Sequence, residues 1–140
     1  MNIKIEKDCT NVDWSLIPEM LKLGGMGYFD EETHKKAFEN SYSTIFVYDN
    51  DKLIGFGRAL SDGVYQGVIY DVAVLPQYQG KGIGKLIVST ILESISGCNV
   101  ILYAAKGKEG FYSSLNFRKM KTGMALFNNA ENMKEKGFIE

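Results

Sequence analysis

The chain has 140 residues, with 16 Lys and Arg against 17 Asp and Glu, a formal charge of −1. Apolar residues make up 45% and charged residues 24%, which excludes collagenous and disordered classes. No apolar run approaches the ~18 residues of a membrane span, and a near-neutral chain has no global basic field for nucleic acid, so neither a membrane nor a nucleic acid is expected as partner.

Residues 2–6 alternate Ile3 and Ile5 with polar neighbours and predict a short strand. This start does not read as a signal peptide. Residues 12–22 set Trp14, Ile17, Met20 and Leu21 at helical spacing, with Pro18 tolerable only near the first turn. Gly24, Gly25 and Gly27 end that helix in a flexible loop. Residues 30–40 predict a second helix, its start favoured by Asp30, Glu31 and Glu32. Runs 43–48 and 52–60 are rich in strand formers, and Asp49, Asn50 and Asp51 between them signal a hairpin. Residues 64–74 predict a long central strand, followed by a polar, glycine-rich stretch over 76–84.

Ile83, Leu86, Ile87, Ile91 and Ile95 then recur at a 3.6 period, a helix ending before Gly97. Residues 99–104 predict a buried strand, 109–115 a short helix, and 117–119 and 122–127 two closing strands. Residues 128–140 are mixed and polar, a partly ordered surface tail. The order βααβββαβαββ is mixed α/β (α+β), a largely antiparallel sheet flanked by helices with one βαβ unit. No repeat or linker interrupts 1–140, so a single domain is expected. Cys9, Cys98 and the one histidine, His34, are too few and too scattered for a zinc site, and no metal is expected. The two thiols read as reduced and mostly buried, which fits a cytoplasmic protein.

The most informative stretch runs from Asp71 to Lys85. A buried strand enters a loop with Gly80, Gly82 and Gly84 at alternate positions, and a helix starts on the last. Glycine lets the backbone approach a ligand closely, and unpaired N–H groups at a helix start form an anion site. Lys81 and Lys85 add positive charge. A Walker A loop would need Gly at 79 and Ser or Thr at 86, where Gln79 and Leu86 stand. A dinucleotide fingerprint would need Gly at 85, which is Lys85, and an acid about 20 positions on, where 99–105 has none.

The remaining pattern, Q/R-x-x-G-x-G/A, is met by Gln79, Gly82 and Gly84, preceded by Pro76 and Tyr78. This segment resembles the coenzyme A signature of the GNAT superfamily of N-acetyltransferases. Phe111, Tyr112, Leu115 and Phe117 are similar to the F-Y-x-x-L-G-F element of the same superfamily, and Lys108-Glu109 before them to its arylalkylamine-acetyltransferase-like members. Asn116 stands where glycine is usual, and asparagine also tolerates the left-handed region.

The resemblance implies the GNAT fold over the whole chain and acetyl-CoA as co-substrate, its acetyl group passing directly to a primary amine, most simply of a small molecule. A protein or peptide acceptor, or a non-catalytic acyl-CoA-binding module, are the rival readings. A homodimer is a family-level expectation. The pyrophosphate would sit on Gln79, Gly80, Lys81, Gly82, Ile83, Gly84 and Lys85. The pantetheine amides would pair with the backbone of Val72, Ala73 and Val74. Tyr112 would protonate the leaving thiolate. Asp71 is the first choice for accepting the amine proton, ahead of Tyr65, Tyr70, Glu109 and His34. Met20, Leu21, Leu23, Met26, Tyr28 and Phe29 read as core or as lining for an apolar amine.

Overall fold

The computed structural model describes all residues, Met1–Glu140, in two compact units, Met1–Leu102 and Tyr103–Glu140.

The first unit is a five-stranded sheet in the order β1-β2-β3-β4-β5, formed by β1 (Ile3–Glu6), β2 (Ser43–Asp49), β3 (Lys52–Ser61), β4 (Gln66–Val74) and β5 (Asn99–Ile101). All neighbours are antiparallel except β4 and β5. That parallel step requires a crossover, supplied by α3 (Ile83–Ser94). The βαβ unit and the mixed, mostly antiparallel sheet are as the sequence predicts.

One sheet face packs against α1 (Leu16–Leu23) and α2 (Glu31–Glu39), where Ile17, Met20, Leu21 and Phe38 meet Phe46, Phe56 and Ala73. The other receives Ile83, Ile87, Val88 and Ile91 of α3. A Cβ on Gly57 of β3 would meet Ile87 Cγ2 at 2.8 Å and Ile91 Cδ1 at 3.1 Å, so the absence of a side chain there sets how closely α3 lies on the sheet.

Local chemistry fixes the boundaries. Asp30 caps α2, its carboxylate accepting the Thr33 N–H at 2.8 Å. Helix α1 begins at Leu16, not at residue 12, which leaves Pro18 third in the helix, where its missing N–H would have no partner anyway. Strand β4 begins at Gln66 rather than 64, because Asp62 Oδ1 accepts the N–H groups of Val64, Tyr65 and Gln66 at 2.8, 2.9 and 3.1 Å and holds Val64 and Tyr65 in the turn. Strand β5 stops after three residues, and Ile101 is 47% exposed, so the predicted buried strand over 99–104 is short and open.

The second unit carries α4 (Glu109–Ser114) and α5 (Ala130–Glu135). Aromatic edges hold it: Tyr103 meets Phe127 and Phe138 at 5.6 Å each, and Tyr112 meets Phe111 and Phe117 at 4.9 and 5.7 Å. The two strands predicted over 117–119 and 122–127 do not form. An alternating pattern stabilises a strand only where one face is buried and a neighbour takes its hydrogen bonds. Here Met124 is 97% and Leu126 100% exposed. The tail after 128 holds α5 instead, so the order closes βαα in place of βαββ.

Candidate functional site

β4 changes character halfway along. Its pairing with β3 runs from Ser61↔Gly67 to Arg58↔Tyr70, then resumes at Phe56↔Ala73 and Gly55↔Val74. Gly57 thus faces two residues, Asp71 and Val72, which is a bulge in β4. Asp71 sits at φ 57°, in the left-handed region. Such backbone costs on the order of 1–3 kcal/mol for a non-glycine residue, and Asp and Asn are among those that tolerate it best. The bulge shifts side-chain parity by one residue, so Ala73 rather than Val72 joins Phe56 in the core under α1 and α2.

The Asp71 carboxylate accepts Arg58 Nε–H at 2.7 Å, a pair whose side chains are 22% and 16% exposed. The Arg58 guanidinium lies over the rings of Phe38 at 5.6 Å and Tyr70 at 5.3 Å. It also reaches Ser41 Oγ at 3.4 Å. His34 is buried, 4% exposed, and accepts the Phe29 N–H on Nε2 at 2.8 Å. Its acceptor role places its proton on Nδ1. Burial pushes His34 below the ordinary imidazole value of 6.5, with Asp71 opposing and Arg58 adding to that effect. The histidine is thus tied to the Phe29 backbone, with Asp71 and Arg58 near enough to act on its charge.

Strand β5 pairs only with Gln66, Gly67 and Val68. Beyond Val68, no strand lies on that side of β4. This open edge leads through Leu75, whose N–H stays bonded to Ile54 O at 2.9 Å, into a 3-10 turn at Pro76–Tyr78. Gln79 turns its side chain back onto the strand, Nε2 donating to Val74 O at 3.1 Å. Tyr78 is tied to the β2–β3 hairpin by its hydroxyl, which donates to Asp49 Oδ2 at 2.7 Å. Lys52 and Lys81 each set an ammonium 5.6 Å from its ring centroid.

Gly80 and Gly82 follow at φ 76° and 86°, and α3 starts with no side chain capping its first turn. A Cβ on either glycine would meet nothing within 4 Å. The backbone here faces open space with free helix-start N–H groups, the arrangement a diphosphate takes. Val72–Val74 and Gln79–Lys85 thus form one continuous strip: a strand edge with no neighbouring strand, then a glycine-rich loop opening α3 with no side-chain cap.

The second unit places Tyr112 on α4, its ring edge-on to those of Phe111 and Phe117. Burial raises the Tyr112 phenol above 10, so it is protonated at neutral pH. Asn116 takes φ 72°, the conformation expected of the usual glycine. Glu109 accepts the Gly107 N–H at 2.8 Å, and bonds from its own and Gly107's N–H hold its carboxyl below 4.5. Tyr65 lies exposed in the β3–β4 turn.

Two features escaped the sequence reading: the bulge, and the arginine that grips it. The one signal available was an aspartate, a poor strand former that tolerates left-handed backbone, inside an otherwise apolar strand.

The family model of the acetyltransferase (GNAT) domain matches residues 41–119. An uncharacterised N-acetyltransferase of Prochlorococcus marinus is 41% identical over 87 residues, covering 57% of this chain and 48% of that protein. Serotonin N-acetyltransferase 2 of rice (Oryza sativa subsp. japonica) is 29% identical over 121 residues, covering 81% of this chain and 60% of that one. The chain spans about half to three-fifths of the length of these curated relatives. A probable acetyltransferase of meticillin-resistant Staphylococcus aureus, known by its crystal structure, superposes with a TM-score of 0.78 at 28% identity, over 89% of this chain and 98% of that one. The matched segment contains the open strand edge, the glycine cradle and the Tyr112 helix, and the chain belongs to the GNAT acetyltransferase family.

Proposed function

We propose that the protein is an N-acetyltransferase that uses acetyl-CoA to acetylate the primary amine of a small molecule. The observation that carries this reading is the continuous strip from the unpaired β4 edge into the uncapped start of α3, with Gly80 and Gly82 at positive φ facing open space. An anionic diphosphate fits the cradle, and an extended amide chain fits the edge as an added strand would. The small-molecule choice draws on the likeness to the rice serotonin N-acetyltransferase.

Acetyl-CoA bound there supplies an activated thioester, so no covalent enzyme intermediate is needed. In this reading the N–H groups of Gly82, Ile83 and Gly84 hold the pyrophosphate, and Lys81 and Lys85 add charge. Backbone groups of Val72, Ala73 and Val74 orient the pantetheine arm. Tyr112, protonated at neutral pH, donates to the leaving sulfur. Asp71 takes the proton from the amine. An alkylammonium of pKa ~10.4 gives up its proton at pH 7 at a cost of about 4.6 kcal/mol, so a proton acceptor shortens the climb.

The test is thiol release from acetyl-CoA in the presence of alkylamines, arylalkylamines and peptides, with products identified by mass. Release dependent on a small amine supports the proposal. Release with peptides alone moves the acceptor to proteins. CoA binding with no amine-dependent release makes the chain a binding module.

A further inference from the structure

Asp71 holds a left-handed conformation in the β4 bulge, one that a residue with a side chain seldom adopts unaided. Something must hold it there, and Arg58 is the one group bonded to its carboxylate. Arg58 stands on β3 opposite Tyr70, the last regular partner before the bulge. Its guanidinium is fixed on the Phe38 and Tyr70 rings and reaches Ser41, so it is anchored in α2-side core and in both strands at once. From that anchor Nε reaches along β4 by one residue and bonds Asp71 Oδ2.

We infer that Arg58 is the positioning residue of the cofactor edge: through Asp71 it locks the left-handed turn that makes the β4 bulge, and so sets the direction of the Val72 and Ala73 backbone groups. This rests on the acetyl-CoA reading above. It assigns Asp71 a second role, separable from proton transfer. The role depends on the left-handed backbone at 71 and on a side-chain oxygen there that accepts the Arg58 Nε–H, whereas proton acceptance needs an ionisable carboxylate.

Two readouts keep these apart: CoA dissociation constants by calorimetry, and backbone carbon chemical shifts at 71–73 in the free proteins, which report φ without any ligand. Arg58→Met should weaken CoA at least fivefold and move the Asp71 shifts away from left-handed values, with Arg58→Lys in between. Asp71→Gly, which adopts the turn unaided, should bind CoA within twofold of the natural protein. Asp71→Val, whose branched side chain resists positive φ, should lose tenfold or more. Asp71→Asn should keep CoA affinity while losing turnover, most strongly at low pH, where free amine is scarcest.

Unchanged shifts and unchanged CoA affinity in Arg58→Met would overturn the assignment. If that variant does not fold, the Asp71→Gly and Asp71→Val pair decides, and equal affinities would overturn it. A natural protein that binds no CoA, with shifts in Arg58→Met displaced as expected, would remove the acetyltransferase reading and leave the hold of Arg58 on the bulge standing.

Discussion

The two units are built on different physics. In Met1–Leu102, a sheet carries helices on both faces, and Ile17, Leu21, Phe46, Phe56, Ile87 and Val88 are fully out of solvent. In Tyr103–Glu140 no residue is buried to that degree, and aromatic edges near Tyr103 and Tyr112 take the place of a core. Anion binding needs backbone N–H groups fixed in direction, and the cradle grows out of the packed unit. Tyr112 stands in the thinly buried unit, where local opening is cheaper. The molecule divides into a deeply packed unit, which carries the Gly80–Gly82 loop and the Asp71 bulge, and a thinly buried one, which carries Tyr112.

The sharpest way to break that division is Tyr112→Phe. The ring contacts with Phe111 and Phe117 remain and only the hydroxyl goes. We expect kcat to fall by ~10²-fold with CoA affinity nearly unchanged, as for loss of a general acid. Turnover equal to the natural protein's, under conditions where chemistry limits the rate, would make Tyr112 a packing residue.

Next in size is Gly57→Val, aimed at the packed unit. The new side chain would collide with Ile87 and Ile91 of α3 and with Val72 at the bulge. Overpacking of this kind costs ~1–3 kcal/mol. Denaturant unfolding of the variant measures it directly. A loss well under 1 kcal/mol would mean that α3 is free to lift off the sheet, and that the unit carrying the cradle is softer than its packing implies.

Gly82→Asp should weaken CoA at least tenfold, by placing a carboxylate at the start of α3 and by imposing left-handed backbone, φ 86°, on a residue with a side chain. Gly82→Ala separates the two causes, since it shares the strain and lacks the charge. Calorimetric titration of both reads the difference, and equal affinity for all three proteins would remove the anion from the cradle.

These expectations follow the legibility of the chain itself. The loop from Pro76 to Gly84 was readable because glycines and a proline act locally, through φ and missing N–H groups. Asn116 was readable for the same reason, and it takes the conformation expected. Residues 122–127 misled because alternation records which side chains could share a face, not whether a neighbour exists to bond the backbone. The bulge at Asp71 lay between these cases. Its geometry is local, but its clamp comes from Arg58, 13 positions away in sequence.

The smallest expected effect concerns His34. Its Nε2 accepts the Phe29 N–H, so protonation would replace an acceptor by a donor facing a donor. Burial already disfavours the charged ring, Asp71 favours it, Arg58 disfavours it, and Asp30 favours it. The net displacement is downward from 6.5. The unfolded chain therefore binds more protons than the folded one between the lowered value and 6.5, and stability rises with pH across that window. It is complete above the unfolded value and lost as pH falls below it. The slope from one such group is at most ~1.4 kcal/mol per pH unit. Asp8, Asp30, Asp49 and Asp62 lie below 3.8 and Glu109 below 4.5, so their own losses come at more acid pH. Between its lowered value and 6.5, His34 adds a slope of this sign. His34→Gln keeps an acceptor for Phe29 and never ionises. Its unfolding free energy should be flatter in that window than the natural protein's, and parallel curves would show that His34 stays neutral in both states or is charged equally in both.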